Sequence, residues 1–495
     1  MTPWILFAVA AGFGLAATWA AREVALRVGL VDRPDGRRKT QAQPVAVAGG
    51  LAVLAAVIAT LAVGVSLSPE VAAAFWGNLP RAAALLGALG VIAAVGLVDD
   101  AVNLRARYKL AGQLAAILLL VGPGGFVIDQ VSLAGALVPF GPLAVPVSVL
   151  WFLAAVNAVN LLDGMDGLLG TIGLVVAGSL AIMAFALGNP FPGLVAVALA
   201  GALVGFLRFN WPPATVYLGD CGSMLIGLTV AALAIAASLK GPAVAIAGPV
   251  ALLALPFLDT TAAIIRRKLT GRGLAIADRG HLHHVLQRHG MTRPRVLALV
   301  AALGCVAAGG AIAGVVYGQD VLAAVAGVAV AFILIAGGLF GTAEVRLVRE
   351  RMAGMYRSAV SKSGHVELTV RLQGTADWAS VWVRLVRAAD DLALRSMRLD
   401  VNAPAWHEGF HGRWDKTAPA AAELDVWRLE LPVFGRGQVI GRLMVAGVRS
   451  DTPMADLLGR ISGVLAEAEA AACELTPPPV AVPAVVRPVP VRATA

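Results

Sequence analysis

The stretch Asn157 to Leu168, N-A-V-N-L-L-D-G-M-D-G-L, sets two amides and two carboxylates directly behind an apolar run. An unpaired polar group in an apolar medium costs roughly 2 to 7 kcal/mol, and an unpaired charge more. Asn157, Asn160, Asp163 and Asp166 are therefore expected at a wet, occupied boundary. A glycine follows each aspartate, and Gly164 and Gly167 allow a tight turn and close approach by something bulky. A segment cupping a metal or a phosphate needs that combination. A polar hairpin capping two spans is the plainer alternative.

Four more polar clusters interrupt the apolar runs. In the first loop, Asp32 to Lys39 is basic and reads as a topology signal. Asp99-Asp100 is followed eight and ten residues on by Arg107 and Lys109, with Gln113 beyond. That pattern suits a place where a metal meets a polyanion, with a salt-bridged loop as the alternative. Asn210 to Ser223 ends in Gly219-Asp220-Cys221-Gly222-Ser223 at the mouth of a span, so Asp220 is either a ligand or an ordinary N-cap. Asp259-Thr260 leads through Arg266-Arg267-Lys268 to Asp278-Arg279-Gly280-His281-Leu282-His283-His284. Three histidines could ligate zinc, but no Cys or Glu completes a set. Lys268, Arg279 and Arg288 point to phosphate instead.

The elements that must position these clusters are membrane spans. With 59% hydrophobic and 14% charged residues and a mean hydropathy of +0.81, the chain is an integral membrane protein set in a lipid bilayer. Its net charge of +9 is no nucleic-acid signal, because the cations fall mostly in short loops between apolar runs and no nucleic-acid module is apparent. Cys221, Cys305 and Cys473 are too scattered for a disulfide framework or zinc knuckle. Eleven spans are readable, at 3–30, 44–68, 81–98, 109–127, 141–158, 166–188, 191–209, 222–239, 243–265, 296–318 and 320–342. No Lys or Arg precedes the first, whereas Arg22, Arg27 and Arg33 follow, which favours an outside N-terminus. The loops at 31–43, 99–109, 208–221 and 266–295 then carry the cations, and the opposite loops hold little beyond Arg81 and Lys240. Every cluster with possible chemistry falls on the basic, cytoplasmic side.

The ordered set D-D-x-x-x-L-x-x-R-x-K-L-x-x-Q, N-x-x-N-L-x-D-G-x-D-G-L, N-x-P-P-A-x-x-Y-L-G-D-x-G-S, P-x-x-D-T and D-R-x-H-L-H-H-x-L resembles the polyprenyl-phosphate N-acetylhexosamine-1-phosphate transferases, the glycosyltransferase 4 family. The likeness covers roughly residues 1 to 343. Its histidine segment is similar to the N-acetylglucosamine-1-phosphate branch. The resemblance implies transfer of a sugar-1-phosphate from a UDP-N-acetylhexosamine to undecaprenyl phosphate, with UMP released and magnesium required, manganese being a permissible substitute. It implies Asp220 and Asp163 as metal ligands, with Asp99, Asp100 and Asp163 close to the reaction centre. It implies that Lys109, Arg279, His281, His283 and His284 hold pyrophosphate or uridine, with Asn157, Asn160, Asp166, Asn210 and Asp259 also on the substrate side. It further implies a multi-pass protein of the bacterial inner membrane, compatible with a homodimer. One departure stands out: the first loop reads Arg38-Lys39-Thr40-Gln41-Ala42-Gln43-Pro44, without the His and Arg usual in the family.

After residue 343 the composition turns charged and water-compatible. Residues 344–475 are expected to form a separate cytosolic α/β domain, and 476–495 a disordered Pro/Val-rich tail. Strands are expected at 365–372, 397–401, 426–433 and 439–445, and helices at 378–392 and 454–474. The stretch L-P-V-F-G-R-G-Q-V-I-G-R-L-M-V and its following helix resemble a GAF-type sensory domain, a docking or folding accessory being the alternative. His407 and His411 are expected in a loop.

Overall fold

Apolar runs bounded by proline at the start and glycine at the end should fold as discrete helices, since proline fits a first turn and glycine takes the left-handed closing position. The first helix follows that rule, with Pro3 opening it and Gly29 closing it at φ 79°. The computed structural model describes residues 1–33, 43–133, 136–238, 247–270, 280–360, 365–374, 376–392, 394–403, 406, 408–416, 426–448 and 453–475. The basic segment 34–42, Lys240, Asp278, Arg279, His407 and the tail from 476 lie outside these residues, as do the expectations attached to them.

The chain divides into two compact units. The first is built from Met1–Pro34, Gln41–Ile264 and His281–Thr342; the second takes in Ile265–Gly280 and everything from Ala343. In chain order the helices before residue 342 are α1 (Pro3–Val28), α2 (Gly49–Leu67), α3 (Pro69–Trp76), α4 (Leu79–Val102), α5 (Ala106–Val121), α6 (Ala144–Leu162), α7 (Leu168–Ala186), α8 (Pro190–Asn210), α9 (Gly219–Ser238), α10 (Ala247–Leu252), α11 (Ala254–Leu269), α12 (Leu282–Arg288), α13 (Arg293–Tyr317) and α14 (Asp320–Ala336). Among the described residues eight are long and apolar enough to cross a membrane: α1, α2, α4, α6, α7, α8, α9 and α13. The protein is thus a mainly helical membrane protein, and eight of the eleven expected spans meet that length among the described residues.

The other three expected spans are helical but fall short of that length. α5 stops after 16 residues at Gly122, ahead of Pro123-Gly124-Gly125. α14 stops after 17 residues at Gly337. The ninth run is interrupted at Leu253, between α10 and α11.

Short strands tie the first loop to the polar clusters. β1 (Val31–Asp32), β2 (Val45–Val47) and, beyond the hairpin of β3 (Gln130–Leu133) and β4 (Ala136–Pro139), β5 (Val216–Tyr217) form one three-stranded sheet in the order β1-β2-β5, with β2 and β5 parallel. β2 leads straight into α2 and β5 into α9, so the departing first-loop sequence ends on a strand paired to the Gly219-Asp220 segment. Gly96 lets α4 lie against the start of α9: a Cβ there would stand 2.3 Å from Cys221 Cα. Small residues at such crossings let helix backbones approach closely where lipid offers no hydrophobic drive.

The second unit contains α15 (Thr342–Val360), β6 (His365–Gln373), α16 (Trp378–Asp391), β7 (Leu394–Ala403), β8 (Glu408–Lys416), β9 (Val426–Gly435), β10 (Gln438–Val448) and α17 (Met454–Leu475). Its sheet is antiparallel in the order β6-β8-β7-β10-β9. Trp378, Val381, Trp382 and Leu385 on α16 pack with Met397, Leu399, Val401, Phe410 and Trp414 of the sheet in one core. The expected loop around His411 is instead β8, and His411 is buried. Glycines at 409 and 412 mask the strand's alternation in sequence; a Cβ at Gly412 would run into the Trp382 ring.

Candidate active site

The clusters gather where α4, α6 and α8 end and α5, α7 and α9 begin. α4 closes at Asn103, a left-handed cap whose N–H reaches the Asp99 carbonyl, so the Asp99-Asp100 pair lies in its last turn. Lys109, in the first turn of α5, places its Nζ 2.8 Å from Asp99 Oδ2 and 2.9 Å from Asp220 Oδ1. Asn160 donates its amide to Asp220 Oδ1 at 2.5 Å and to Ser223 Oγ at 2.7 Å. The side-chain exposures rank the group: Asp99 7%, Lys109 18%, Asp220 38%. Asp220 is the most exposed of the three.

Asp163 follows the last residue of α6. Its carboxylate has no hydrogen bond or ion pair with the described residues. Burial pushes it up to about 7, and the charges of Asp220, Asp100 and Asp166 add to the shift. A half-buried carboxylate without a partner among the described residues, repelled by three others, is a position that a cation would satisfy. Among the described residues no three His, Cys, Asp or Glu side chains are arranged to hold a metal by themselves. Magnesium needs fewer: it keeps several waters, takes phosphate oxygens and uses one or two carboxylates. Asp163 and Asp220 fit that requirement.

Asp100 faces the other way. Its Oδ1 accepts the Asp220 N–H at 2.7 Å and its Oδ2 the Cys221 N–H at 3.2 Å, so it caps α9 from another helix. Gly219, at φ +70°, admits this approach, since a Cβ there would sit 2.4 Å from Asp100 Oδ2. Other residues that the motifs assign to the site make hydrogen bonds within the fold. Asn157 exchanges hydrogen bonds with Gln113, donating at 2.9 Å and accepting at 3.4 Å, and also donates to the Leu153 carbonyl. Asn210 accepts the Gly167 N–H and donates to the Val216 carbonyl, both at 2.9 Å. Asp166 accepts the Ala214 N–H and an Arg293 guanidinium N–H, each at 3.1 Å.

The histidine segment joins the same loop. Asp259, almost wholly buried on α11, sits 2.9 Å from His281 Nδ1 and accepts the Leu282 N–H at 2.7 Å. That double contact fixes the His281 ring and caps α12. His283 lies over Gly164, where a Cβ would stand 2.3 Å from its Cε1, and neither ring nitrogen has a hydrogen-bond partner among the described residues. Burial, then the His284 and His281 rings, holds His283 down at about 3, so it is neutral. His284 packs against it at 4.1 Å between ring centroids. Arg279 is outside the described residues. Gln113 and Arg293 were not assigned from sequence. Gln113 stood within a quoted motif, whereas Arg293 gave no signal beyond its charge.

The profile of glycosyl transferase family 4 matches residues 82–238, which hold Asp99, Asp100, Lys109, Asn160, Asp163 and Asp220. The chain is 34% identical over 353 residues to the decaprenyl-phosphate N-acetylglucosaminephosphotransferase of Mycolicibacterium smegmatis, covering 63% of this chain and 82% of that one. It is 32% identical over 323 residues to the protein of the same name in Mycobacterium tuberculosis, covering 57% and 75%. It is 28% identical over 298 residues to the undecaprenyl-phosphate alpha-N-acetylglucosaminyl 1-phosphate transferase of Yersinia pestis, covering 58% and 78%. The chain belongs to glycosyl transferase family 4. These three relatives carry the names of decaprenyl- or undecaprenyl-phosphate N-acetylglucosamine-1-phosphate transferases.

Proposed function

We propose that the protein transfers N-acetylhexosamine-1-phosphate, N-acetylglucosamine-1-phosphate being the first choice, from a UDP-sugar to undecaprenyl phosphate. UMP is released, and the product is the lipid-pyrophosphate sugar that starts a cell-envelope glycan. The observation that carries this reading is Asp163, partnerless among the described residues, next to the Lys109–Asp220 pair, in a chain with these relatives. An oxygen of the lipid phosphate attacks the sugar-bearing phosphorus, and the bond from that phosphorus to the UMP oxygen breaks. A phosphate monoester loses its second proton near pH 6, so the nucleophile is largely ionised at neutral pH without a base.

Most of the catalysis is then charge neutralisation and positioning. Lys109 supplies a fixed cation between Asp99 and Asp220, and Asn160, whose amide also donates to Ser223, holds the Asp220 carboxylate in place. Asp163 and Asp220 would hold magnesium or manganese, which when bound offsets the charge of the pyrophosphate oxygens. Asp259 orients His281 toward the nucleotide-sugar side. By the distribution of Lys and Arg, the site and the C-terminal unit face the cytoplasm of a bacterial inner membrane. The test is an assay of the purified chain for UMP release from a panel of UDP-sugars, with and without undecaprenyl phosphate and magnesium. Release that needs all three components supports the reading. UMP formed without lipid, or inorganic phosphate released from a lipid pyrophosphate, would overturn it, the latter in favour of a membrane phosphatase.

A further inference from the structure

The Asp163 carboxylate has no hydrogen bond or ion pair with the described residues, so its place is set by the backbone that carries it. The four residues that follow it each meet a side chain of α12 or α13. A Cβ at Gly164 would stand 2.3 Å from His283 Cε1 and 2.6 Å from its Nε2. Gln287 donates to the Met165 sulfur at 3.0 Å, and Arg293 to the Asp166 carboxylate at 3.1 Å. A Cβ at Gly167 would meet Leu297 at 3.0 Å. The partners come four apart on each helix, His283 with Gln287 and Arg293 with Leu297, so each pair shares one face. All of these residues belong to the first compact unit, and His283 to Leu297 lie beyond the stretch matched by the family profile.

His283 is 2% exposed, and both its ring nitrogens are enclosed without a hydrogen-bond partner among the described residues. A buried polar group left in that state lowers stability, and a nitrogen so enclosed offers nothing to a phosphate. The ring is held from behind. Asp259 fixes His281, whose ring runs nearly parallel to that of His283 at 6.5 Å between centroids, and His284 packs against it at 4.1 Å. We infer that His283 is a positioning residue for Asp163: its ring, backed by His281 and His284, bears on Gly164 and sets where the neighbouring carboxylate stands. Gly164 does not stand at positive φ, and the three atoms nearest an added Cβ all belong to the His283 ring. A glycine is needed there to admit the ring. The proposal rests on the transferase reading in one respect: Asp163 is taken as a metal ligand.

The test uses the full-length chain and the variants His283→Ala, Gly164→Ala and the two combined, with manganese as the probe and its binding read from the EPR signal of the free ion. Each single variant is expected to raise the manganese Kd about tenfold or more, as losing a group that orients a metal ligand does. KM for UDP-N-acetylglucosamine at saturating metal should stay within about twofold. The double variant should bind manganese no more weakly than His283→Ala by more than about twofold, because the added methyl group meets no ring once the ring is gone. A second readout needs neither metal nor turnover: peptides covering 160–168 should exchange amide hydrogens faster in both single variants than in the unaltered chain. An unchanged manganese Kd, unchanged exchange, a raised nucleotide-sugar KM with metal affinity intact, or multiplying effects in the double variant would overturn the proposal. If His283→Ala does not fold, Gly164→Ala still decides the matter, since it must speed exchange over 282–288 as well as over 160–168. An unaltered chain that binds no manganese removes the role given to Asp163 and the proposal with it, whereas one that binds manganese yet releases no UMP sinks the transferase reading alone.

Discussion

Two sets of carboxylates and amides, equal in sequence, behave oppositely in the folded chain. Asp99 and Asp220 flank the Lys109 ammonium at the mouth of the helices, with exposure rising to the 38% of the Asp220 side chain, and Asp163 feels the Asp220 charge. Asp100, Asp259 and Asn210 spend their oxygens on backbone N–H groups of α9, α12 and the turn before α7. On the proposed reading the first set keeps charge available for a ligand, and the second fixes the backbone around it. A motif residue can thus matter to activity by either route, and only the geometry separates them.

Three substitutions bear on this contrast, in falling order of expected effect. Lys109→Met removes the fixed cation and leaves Asp99 and Asp220 repelling each other; turnover should drop by about 100-fold or more, read as UMP release. Activity within a factor of about three of the parent would break the division between the two sets. Asn210→Ala leaves the Gly167 N–H and the Val216 carbonyl buried without their partner. Stability should fall by about 1 to 3 kcal/mol, seen as a lower melting temperature, with the UMP-release rate of the folded fraction near that of the parent. His283→Leu tests a smaller, pH-linked term. Burial holds His283 at about 3 in the folded chain, while an unfolded histidine titrates near 6.5. The folded state thus binds fewer protons between these values. The contribution is whole above about pH 6.5 and shrinks as pH falls toward 3, by up to about 1.4 kcal/mol per pH unit. Melting of the parent should drop more between pH 7.5 and 5.5 than melting of His283→Leu; equal drops would show that the ring is charged in the fold.

Much of this was legible in the sequence, and the misses have physical causes. Hydropathy located the eight helices that are, among the described residues, long and apolar enough to cross a bilayer, because a bilayer demands an apolar run of fixed length. It could not tell that α5 and α14 stop at 16 and 17 residues, since the glycines that end them sit inside apolar runs. Period-two alternation found β6, β7, β9 and β10 but not β8, whose inward positions include a glycine. Spacing showed that Asp99, Asp100, Asp163 and Asp220 share a boundary. It could not show that Asp100 turns away, because the N–H groups it binds are 120 and 121 residues distant. The contacts of α12 and α13 with the turn after Asp163 left no pattern either, because Gln287 and Arg293 lie 122 and 127 residues from the partners they hold.

The contrast between the two sets is tested most directly by melting temperature and turnover measured together on Asp220→Asn and Asp100→Asn at saturating magnesium. Asp220→Asn should melt like the parent and lose activity by about 100-fold or more, because it loses a charge that faces the ligand. Asp100→Asn should melt lower, by the about 0.5 to 2 kcal/mol that a lost helix cap costs, and keep more turnover per folded molecule than Asp220→Asn. Parallel losses in the two variants, or a lowered melting temperature for Asp220→Asn with its turnover intact, would contradict the account.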